Sequence, residues 1–186
     1  MERMEEPSET AIVRSAQAGD EGAFTELVVR HRRDVLRIAW RFARNNAELD
    51  DLGQEIFIRA FESLASYRGD APFGHWLSRI AVHACYDFLR KRRREEGNIS
   101  LDAMPFPPVD PSTETDRPAE QARLILEGAM AQLKPDQRLV ITLFELEDRT
   151  IREVAALTGW SETGVKVRAF RARKALKRIL GGQDEG

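Results

Sequence analysis

The stretch from Thr150 to Leu180, TIREVAALTGWSETGVKVRAFRARKALKRIL, restricts the fold more than any other part of the chain. Thr150 and Glu153 have the spacing of a capping box, in which a hydroxyl and a carboxylate each satisfy an orphan backbone N–H, so a helix is expected to start at Ile151. Val154, Ala155 and Leu157 give it one apolar side. Gly159 ends it, because a helix C-terminus commonly needs a left-handed residue, which glycine supplies at little cost. Ser161 is a suitable N-cap for a second helix, and Glu162 in its first turn suits the helix dipole. About three residues separate the two helices, the spacing of a helix-turn-helix rather than of a simple antiparallel hairpin.

The second helix has two unlike sides. Val165, Ala169, Ala172, Leu176 and Ile179 form one apolar stripe that faces a core, while Lys166, Arg168, Arg171, Arg173, Lys174, Lys177 and Arg178 occupy the rest. No acidic residue follows Glu162 in this helix, and Phe170 stands among the cations, off the stripe. A solvated amphipathic helix is one explanation, but it normally mixes charge signs and carries no stray aromatic ring. A recognition helix in a DNA major groove explains both features, its cations neutralising phosphates.

The net charge of -2 hides a segregated distribution. Basic clusters stand at Arg90–Arg94 and Lys166–Arg178, and acids concentrate at the N-terminus, around Asp50–Glu62 and in the middle of the chain. Such a chain suits a polyanion on one surface and a second partner on another. The single cysteine, Cys85, excludes an internal disulfide, lacks companions for a metal site, and reads as a small buried apolar residue. No apolar run is long enough to span a membrane, and MERMEEPSE is no signal peptide, so the expected location is cytoplasmic.

Taken in order, residues 1–8 read as a loose tail and a short helix is expected from about Glu9 to Ala18, ending at Gly19. Asp20 caps the next, whose face carries Phe24, Leu27, Val28, His31, Val35, Ile38, Ala39 and Phe42. His31 is taken as a packed or edge histidine, since no second ligand stands at helical spacing. A third helix, Glu48 to about Ser66, has Leu49, Leu52, Ile56, Ala60 and Leu64 inward and Asp50, Asp51, Gln54, Glu55 and Glu62 on another face, with Phe57 and Ile58 beside it. That face fits solvation or a protein partner, and lacks the histidine or phosphate loop that catalysis would need. Tyr67 to Asp70 is a turn, and Pro72 fits the first position of a fourth helix with Phe73, Trp76, Leu77, Ile80, Ala81, Ala84 and Phe88 inward. Arg79, His83, Tyr86, Arg90 and Arg93 share another face of that helix. Cations can simply complement a helix C-terminus, but this mixture also suits unpaired DNA, where bases stack on rings and cations hold phosphates. Proline and polar residues make 96–118 a flexible linker, although Ile99, Leu101, Met104, Phe106 and Val109 point to partial packing. Helices are then expected from Ala119 to Leu133 and from Pro135 to about Leu146, followed by the helix-turn-helix and a frayed end at 182–186. The expected fold is all-α: a helical bundle over 9–95 and a helix-turn-helix module over 119–181.

With these segments in order, the chain resembles the extracytoplasmic-function (ECF) class of sigma-70 RNA polymerase sigma factors. AGDEGAFTELVVRH, DDLGQEIFIRAF and YRGDAPFGHWLSRIAVHACYDFLRKRRR resemble region two, and LKPDQRLVITLFELEDRTIREVAALTGWSETGVKVRAFRARKAL resembles region four. The resemblance implies that Asp50, Asp51, Gln54, Glu55, Ile56 and Phe57 bind core polymerase (its beta and beta-prime subunits) through the clamp coiled coil. It implies that Tyr67, Arg68, Trp76, Arg79, His83, Tyr86 and Arg90 melt and read the -10 element. It implies that Ser161, Thr163, Lys166, Arg168, Phe170, Arg171, Arg173 and Lys174 meet the -35 element. An anti-sigma factor is a further implied partner, and no catalytic residue, metal or cofactor is expected. His83 stands where many members carry Asn, Glu162-Thr163-Gly164 replaces a frequent Val-Gly-Thr, and Phe144 replaces a frequent Arg, departures that bear on promoter sequence. A stand-alone helix-turn-helix regulator is the alternative, and a hydrolase using Asp50, Asp51 and Glu55 is a remote third.

Overall fold

The computed structural model describes residues 8–96 and 117–181. The expected N-terminal tail apart from Ser8, the body of the linker and the 182–186 end lie outside the described residues. Eight α-helices are described: α1 Glu9–Gln17, α2 Glu21–Trp40, α3 Asn46–Ser63, α4 Phe73–Glu96, α5 Arg117–Ala131, α6 Pro135–Ile141, α7 Ile151–Thr158 and α8 Glu162–Gly181. A short 3₁₀ turn, Leu64–Ser66, continues α3, and no strand occurs among the described residues.

Short polar side chains set the starts of the first three helices. The Ala11 amide donates to Ser8 Oγ, Ala23 to Asp20 Oδ1 and Glu48 to Asn45 Oδ1, each satisfying a donor that the helix leaves unpaired. Asn45 therefore starts α3 at Asn46, two residues earlier than expected. Pro72 lies just outside α4 rather than at its first position; its carbonyl accepts from the His75 and Trp76 amides. The helix expected from Pro135 to Leu146 holds α geometry only to Ile141 and then widens into a π-turn over Thr142–Leu146. Within that turn Thr142 and Leu143 are buried and Glu145 and Leu146 are exposed. Asp148, in the loop that follows, adopts a positive φ of 48°.

α2, α3 and α4 pack on one another and α1 lies against α2, while α5, α6 and α7 all pack against α8. Inward residues of the first group include Leu27, Phe42, Ile56 and Leu77; those of the second include Leu139, Val154 and Val165. Gly53 lets α2 and α3 approach closely, since a Cβ there would stand 2.8 Å from Leu36 Cδ2. The two groups are not separate bodies, because α4 also packs on α6 and α7 and the buried apolar side chains form one cluster. Val82 and Leu89, both outside the stripe expected for α4, are buried at 1% and 4% exposure, so α4 is covered on two sides.

The basic end of α4 is not uniformly solvated. Arg92, within the KRRR run, turns inward, pairs with Glu48 at 2.7 Å and stacks 4.4 Å over the Phe88 ring. Glu48 also accepts from the Arg44 backbone amide at 2.7 Å and from its guanidinium at 2.8 Å. Burial works to raise the Glu48 carboxyl, but hydrogen bonds from Arg44 and the nearby Arg92 charge outweigh it and leave the group below its ordinary value. A lowered carboxyl contributes stability that is present above the ordinary value of 4.5 and is lost as pH falls through the folded value. Glu48→Gln is expected to cost about 1–3 kcal/mol at neutral pH, by leaving Arg92 buried with a neutral partner. Denaturant titrations at several pH values should also show a shallower loss of stability below pH 4.5 than in the parent chain.

Candidate nucleic-acid and partner interface

On α3, Asp50, Asp51, Gln54 and Glu55 are exposed on one side, and Glu55 forms an ion pair with Arg59 at 2.7 Å. Ile58 and Phe61 are 54% and 56% exposed, an expanse of apolar surface beside carboxylates that the helix does not bury for itself. Phe57 is half-buried and Ile56 fully buried, so the Ile56 side chain supports the helix from within and does not reach a partner in this conformation. Phe61, which the sequence reading passed over, packs edge-on against Phe24 with ring centroids 5.0 Å apart. Among the described residues no group of histidine, cysteine and carboxylate side chains could hold a metal ion.

The turn before α4 is built around an aromatic group. Tyr67 donates its hydroxyl to the Ala71 carbonyl at 2.6 Å, and its ring lies 5.6 Å from Phe73 and 5.2 Å from Trp76. Gly69 takes the left-handed conformation that the turn requires, with φ of 79°. Phe73 is buried and Trp76 half-buried, so the indole is held at the edge of the core with part of its surface free. Arg68, Arg79, His83 and Arg90 are exposed. Arg79, His83 and Arg90 continue along one face of α4, with the Arg90 guanidinium 5.8 Å over the Tyr86 ring. Tyr86 itself is half-buried against Trp160, at 5.7 Å and an interplanar angle of 85°. The expected row is therefore present, with its one tyrosine engaged by the helix-turn-helix.

The capping box at Thr150 forms in both directions: Glu153 accepts from the Thr150 amide at 2.8 Å, and Thr150 Oγ1 accepts from the Glu153 amide at 3.3 Å. Two hydrogen bonds from Thr150 hold the Glu153 carboxyl below its ordinary value. Gly159 takes the left-handed conformation with φ of 74°, and Ser161 Oγ accepts from the Gly164 amide at 3.0 Å, starting α8. Val165, Ala169 and Ala172 are buried, which turns Lys166, Phe170, Arg171 and Lys174 outward. Ser161 and Thr163 are exposed at the helix start, and Phe170 is 69% exposed.

Two arginines of the expected DNA set are engaged by other side chains of the protein. Arg168 stacks 4.2 Å over the Trp160 ring, donates to the Gly164 carbonyl at 3.1 Å and lies 3.7 Å from Asp136. It fixes the start of α8 and is not presented to solvent as a free cation. Arg173 donates to Glu145 at 2.8 Å and lies 5.1 Å over Phe144, with about half its side chain still exposed. Val167, 42% exposed beside Phe170, is an apolar contact the sequence reading missed; its signal was a valine off the stripe of Val165, Ala169 and Ala172. No helix among the described residues is long and apolar enough to cross a membrane.

Comparison with known proteins matches both halves of this arrangement. Residues 27–95 match the family model for Sigma-70 region 2, and residues 123–176 that for Sigma-70, region 4. The ECF RNA polymerase sigma-E factor of Escherichia coli is 33% identical over 180 residues, covering 92% of this chain and 94% of that protein. The ECF RNA polymerase sigma factor SigM of Mycobacterium tuberculosis is 32% identical over 182 residues, covering 97% and 89%. Among solved structures, CnrH in complex with the cytosolic domain of CnrY is similar, with a TM-score of 0.59, 27% identity and coverage of 92% and 96%. The sigma factor RpoE of Bartonella quintana, solved with the anti-sigma factor NepR, shares the fold at a TM-score of 0.60, 22% identity and coverage of 85% and 96%. The chain belongs to the ECF class of sigma-70 RNA polymerase sigma factors.

Proposed function

We propose that this sigma factor attaches to core RNA polymerase through α3 and contacts promoter DNA through α4 and α8, with each surface carrying one task. The observation that carries the reading is the set of outward side chains on three helices whose other faces are buried. On α3 these are Asp50, Asp51, Gln54 and Glu55, with Phe57, Ile58 and Phe61 at their side. Carboxylates flanking exposed apolar side chains suit a basic and apolar groove on the polymerase. On α4, Arg79, His83 and Arg90, with Trp76 at the helix start, offer phosphate contacts beside rings on which an unpaired base can stack. Tyr67 and Arg68 border the same end, and Tyr86 joins the row once Trp160 leaves it. On α8, Lys166, Phe170, Arg171 and Lys174 face outward for the major groove, with Ser161 and Thr163 at the N-terminal end. Arg173 keeps enough exposure to reach a phosphate, whereas Arg168 orients the helix.

The factor works without catalysis of its own and acts where polymerase does, in the cytoplasm. The first module, residues 9–95, and the second, 119–181, are joined by a linker long enough for them to sit on separate promoter elements. An anti-sigma protein is the partner proposed for its control; the complex of CnrH with the cytosolic domain of CnrY shows a relative held by another protein. A stand-alone regulator of duplex DNA would need neither the outward apolar and acidic face of α3 nor the row on α4.

Run-off transcription with purified core polymerase over a promoter library tests the reading. Initiation at a defined subset of promoters is expected, and a chain that neither binds core nor stimulates any promoter would refute it. Asp51→Lys is expected to weaken core binding at least tenfold, a reversal opposite a basic groove, without changing the circular-dichroism melt. Arg171→Ala is expected to cost about 1–3 kcal/mol in promoter binding and to lower the salt slope by about one if a phosphate contact is lost. His83→Ala is expected to slow open-complex formation while leaving binding to an isolated -35 duplex unchanged, as permanganate footprinting and gel shifts would separate.

A further inference from the structure

The turn proposed to border the -10 reader has little apolar surface with which to hold its shape. Arg68, Gly69, Asp70 and Pro72 are exposed, and the Tyr67 ring packs on Phe73 and Trp76. Three of its hydrogen bonds are internal. The Tyr67 amide donates to the Leu64 carbonyl at 3.1 Å, Ser66 Oγ to the Ser63 carbonyl at 2.7 Å and the Tyr67 hydroxyl to the Ala71 carbonyl at 2.6 Å. Two more come from another helix. Gln17, the last residue of α1, donates from Nε2 to the Leu64 carbonyl at 3.0 Å and to the Tyr67 carbonyl at 2.8 Å, across 47 and 50 residues of sequence. A side-chain amide nitrogen carries two N–H groups, and here each has a carbonyl to meet. The two bonds bracket the 3₁₀ turn at the point where the chain leaves α3 for the loop.

α1 reaches the far end of the loop as well. Glu9, its first residue, has Oε1 2.8 Å from His31 Nε2, and the His31 ring lies 5.3 Å from Phe73. A Cβ at Gly74 would stand 3.3 Å from His31 Cε1, so the start of α4 is fitted closely to that ring. We infer that Gln17 is a positioning residue for -10 recognition, a role that rests on the assignment of Tyr67, Arg68 and Trp76 above. Its two donated hydrogen bonds fix the turn from Tyr67 to Pro72 in the form that meets the promoter, and Glu9 with His31 braces the opposite end. Gln17 acts through the turn. A turn ordered in advance gives up no further freedom on binding DNA, and its side chains arrive at the bases in one arrangement.

Gln17 is exposed, so its substitution leaves the apolar core intact. Gln17→Glu keeps the shape but removes both donors and sets a carboxylate against two carbonyls, whereas Gln17→Lys retains a donor of similar reach. In the free, full-length chain, hydrogen–deuterium exchange over residues 64–76 is expected to rise in Gln17→Glu, with α8 unchanged, and to stay parental in Gln17→Lys. Each version is then joined to core polymerase, and run-off initiation is measured on a promoter from the library and on its single-base variants across the -10 element. The parental preference at a read position, roughly tenfold or more, is expected to fall to about twofold in Gln17→Glu and to survive in Gln17→Lys. Core affinity and binding to a -35 duplex are expected to stay parental in both. The preference is a ratio between promoters of equal charge, so the charge introduced at position 17 cancels from it. Parental preference or parental exchange in Gln17→Glu overturns the proposal. Equal loss in both variants overturns it too, since donation would then not be the cause, as does a loss of core affinity that accompanies the loss of preference. If the parent itself shows no preference at the -10 element, the assignment of the turn fails and the positioning role with it, while exchange still shows whether Gln17 holds the turn.

Discussion

The structure depends on α4 being packed from two directions. A helix on the surface of a small bundle buries one stripe and solvates the rest. Here Phe73, Leu77, Ala81 and Ala84 supply that stripe, and Val82 and Leu89 add a second buried side. α2 and α3 lie against α4, and so do α6 and α7, which gives the molecule one apolar cluster in place of two. Along the body of α4 the exposed side chains are His75, Arg79, His83, Asp87 and Arg90, and the exposed surface widens at Lys91 and Arg93–Glu95. The polar row is thus set by which sides of the helix its neighbours leave uncovered.

The same economy governs the cations. A run of basic residues in a sequence suggests a uniform field, but the fold sorts them. Arg92 turns inward to Glu48 and the Phe88 ring, and Arg168 is held by Trp160, Asp136 and the Gly164 carbonyl. Lys166, Arg171 and Lys174 are left outward. Arginine suits the inward positions because its planar guanidinium stacks on a ring while donating at its edges, which a lysine ammonium cannot do. Buried Arg92 and half-buried Arg168 help fix where the helices sit, and the outward cations are placed to meet phosphates.

Local features were legible in the sequence because their causes are local. The Thr150–Glu153 box, the left-handed Gly159 and the Ser161 cap each involve residues a few positions apart, and each appears in the structure. The apolar stripes of α2, α3 and α8 followed from helical periodicity for the same reason. The misses share the opposite property. Glu147 and Arg41 are 106 residues apart, and nothing in the periodicity of either segment marks the pair. Trp160 had no role assigned to it from the sequence, although it touches Tyr86 and Arg168. Ile56 fell within a motif and so looked available to a partner, but its position on the inward stripe of α3 makes it core. The π-turn at Thr142–Leu146 was hidden because its residues continue an apolar pattern that an ordinary α-helix would also satisfy.

The same long-range contacts tie the second module to the end of α2. Arg37 and Arg41 lie at the C-terminal end of α2, and α2 packs along α3, the helix that presents Asp50, Asp51 and Gln54. A Cβ at Gly53 would stand 2.8 Å from Leu36 Cδ2, so the two helices meet there with no room for a side chain. The side of α3 proposed to face polymerase and the helix that pairs with Glu147 therefore belong to one packed unit. The close approach at Gly53 holds α2 against α3 behind the surface proposed to face polymerase. A larger side chain at Gly53 would separate α2 from α3 and weaken that link even where the outer face of α3 stayed intact.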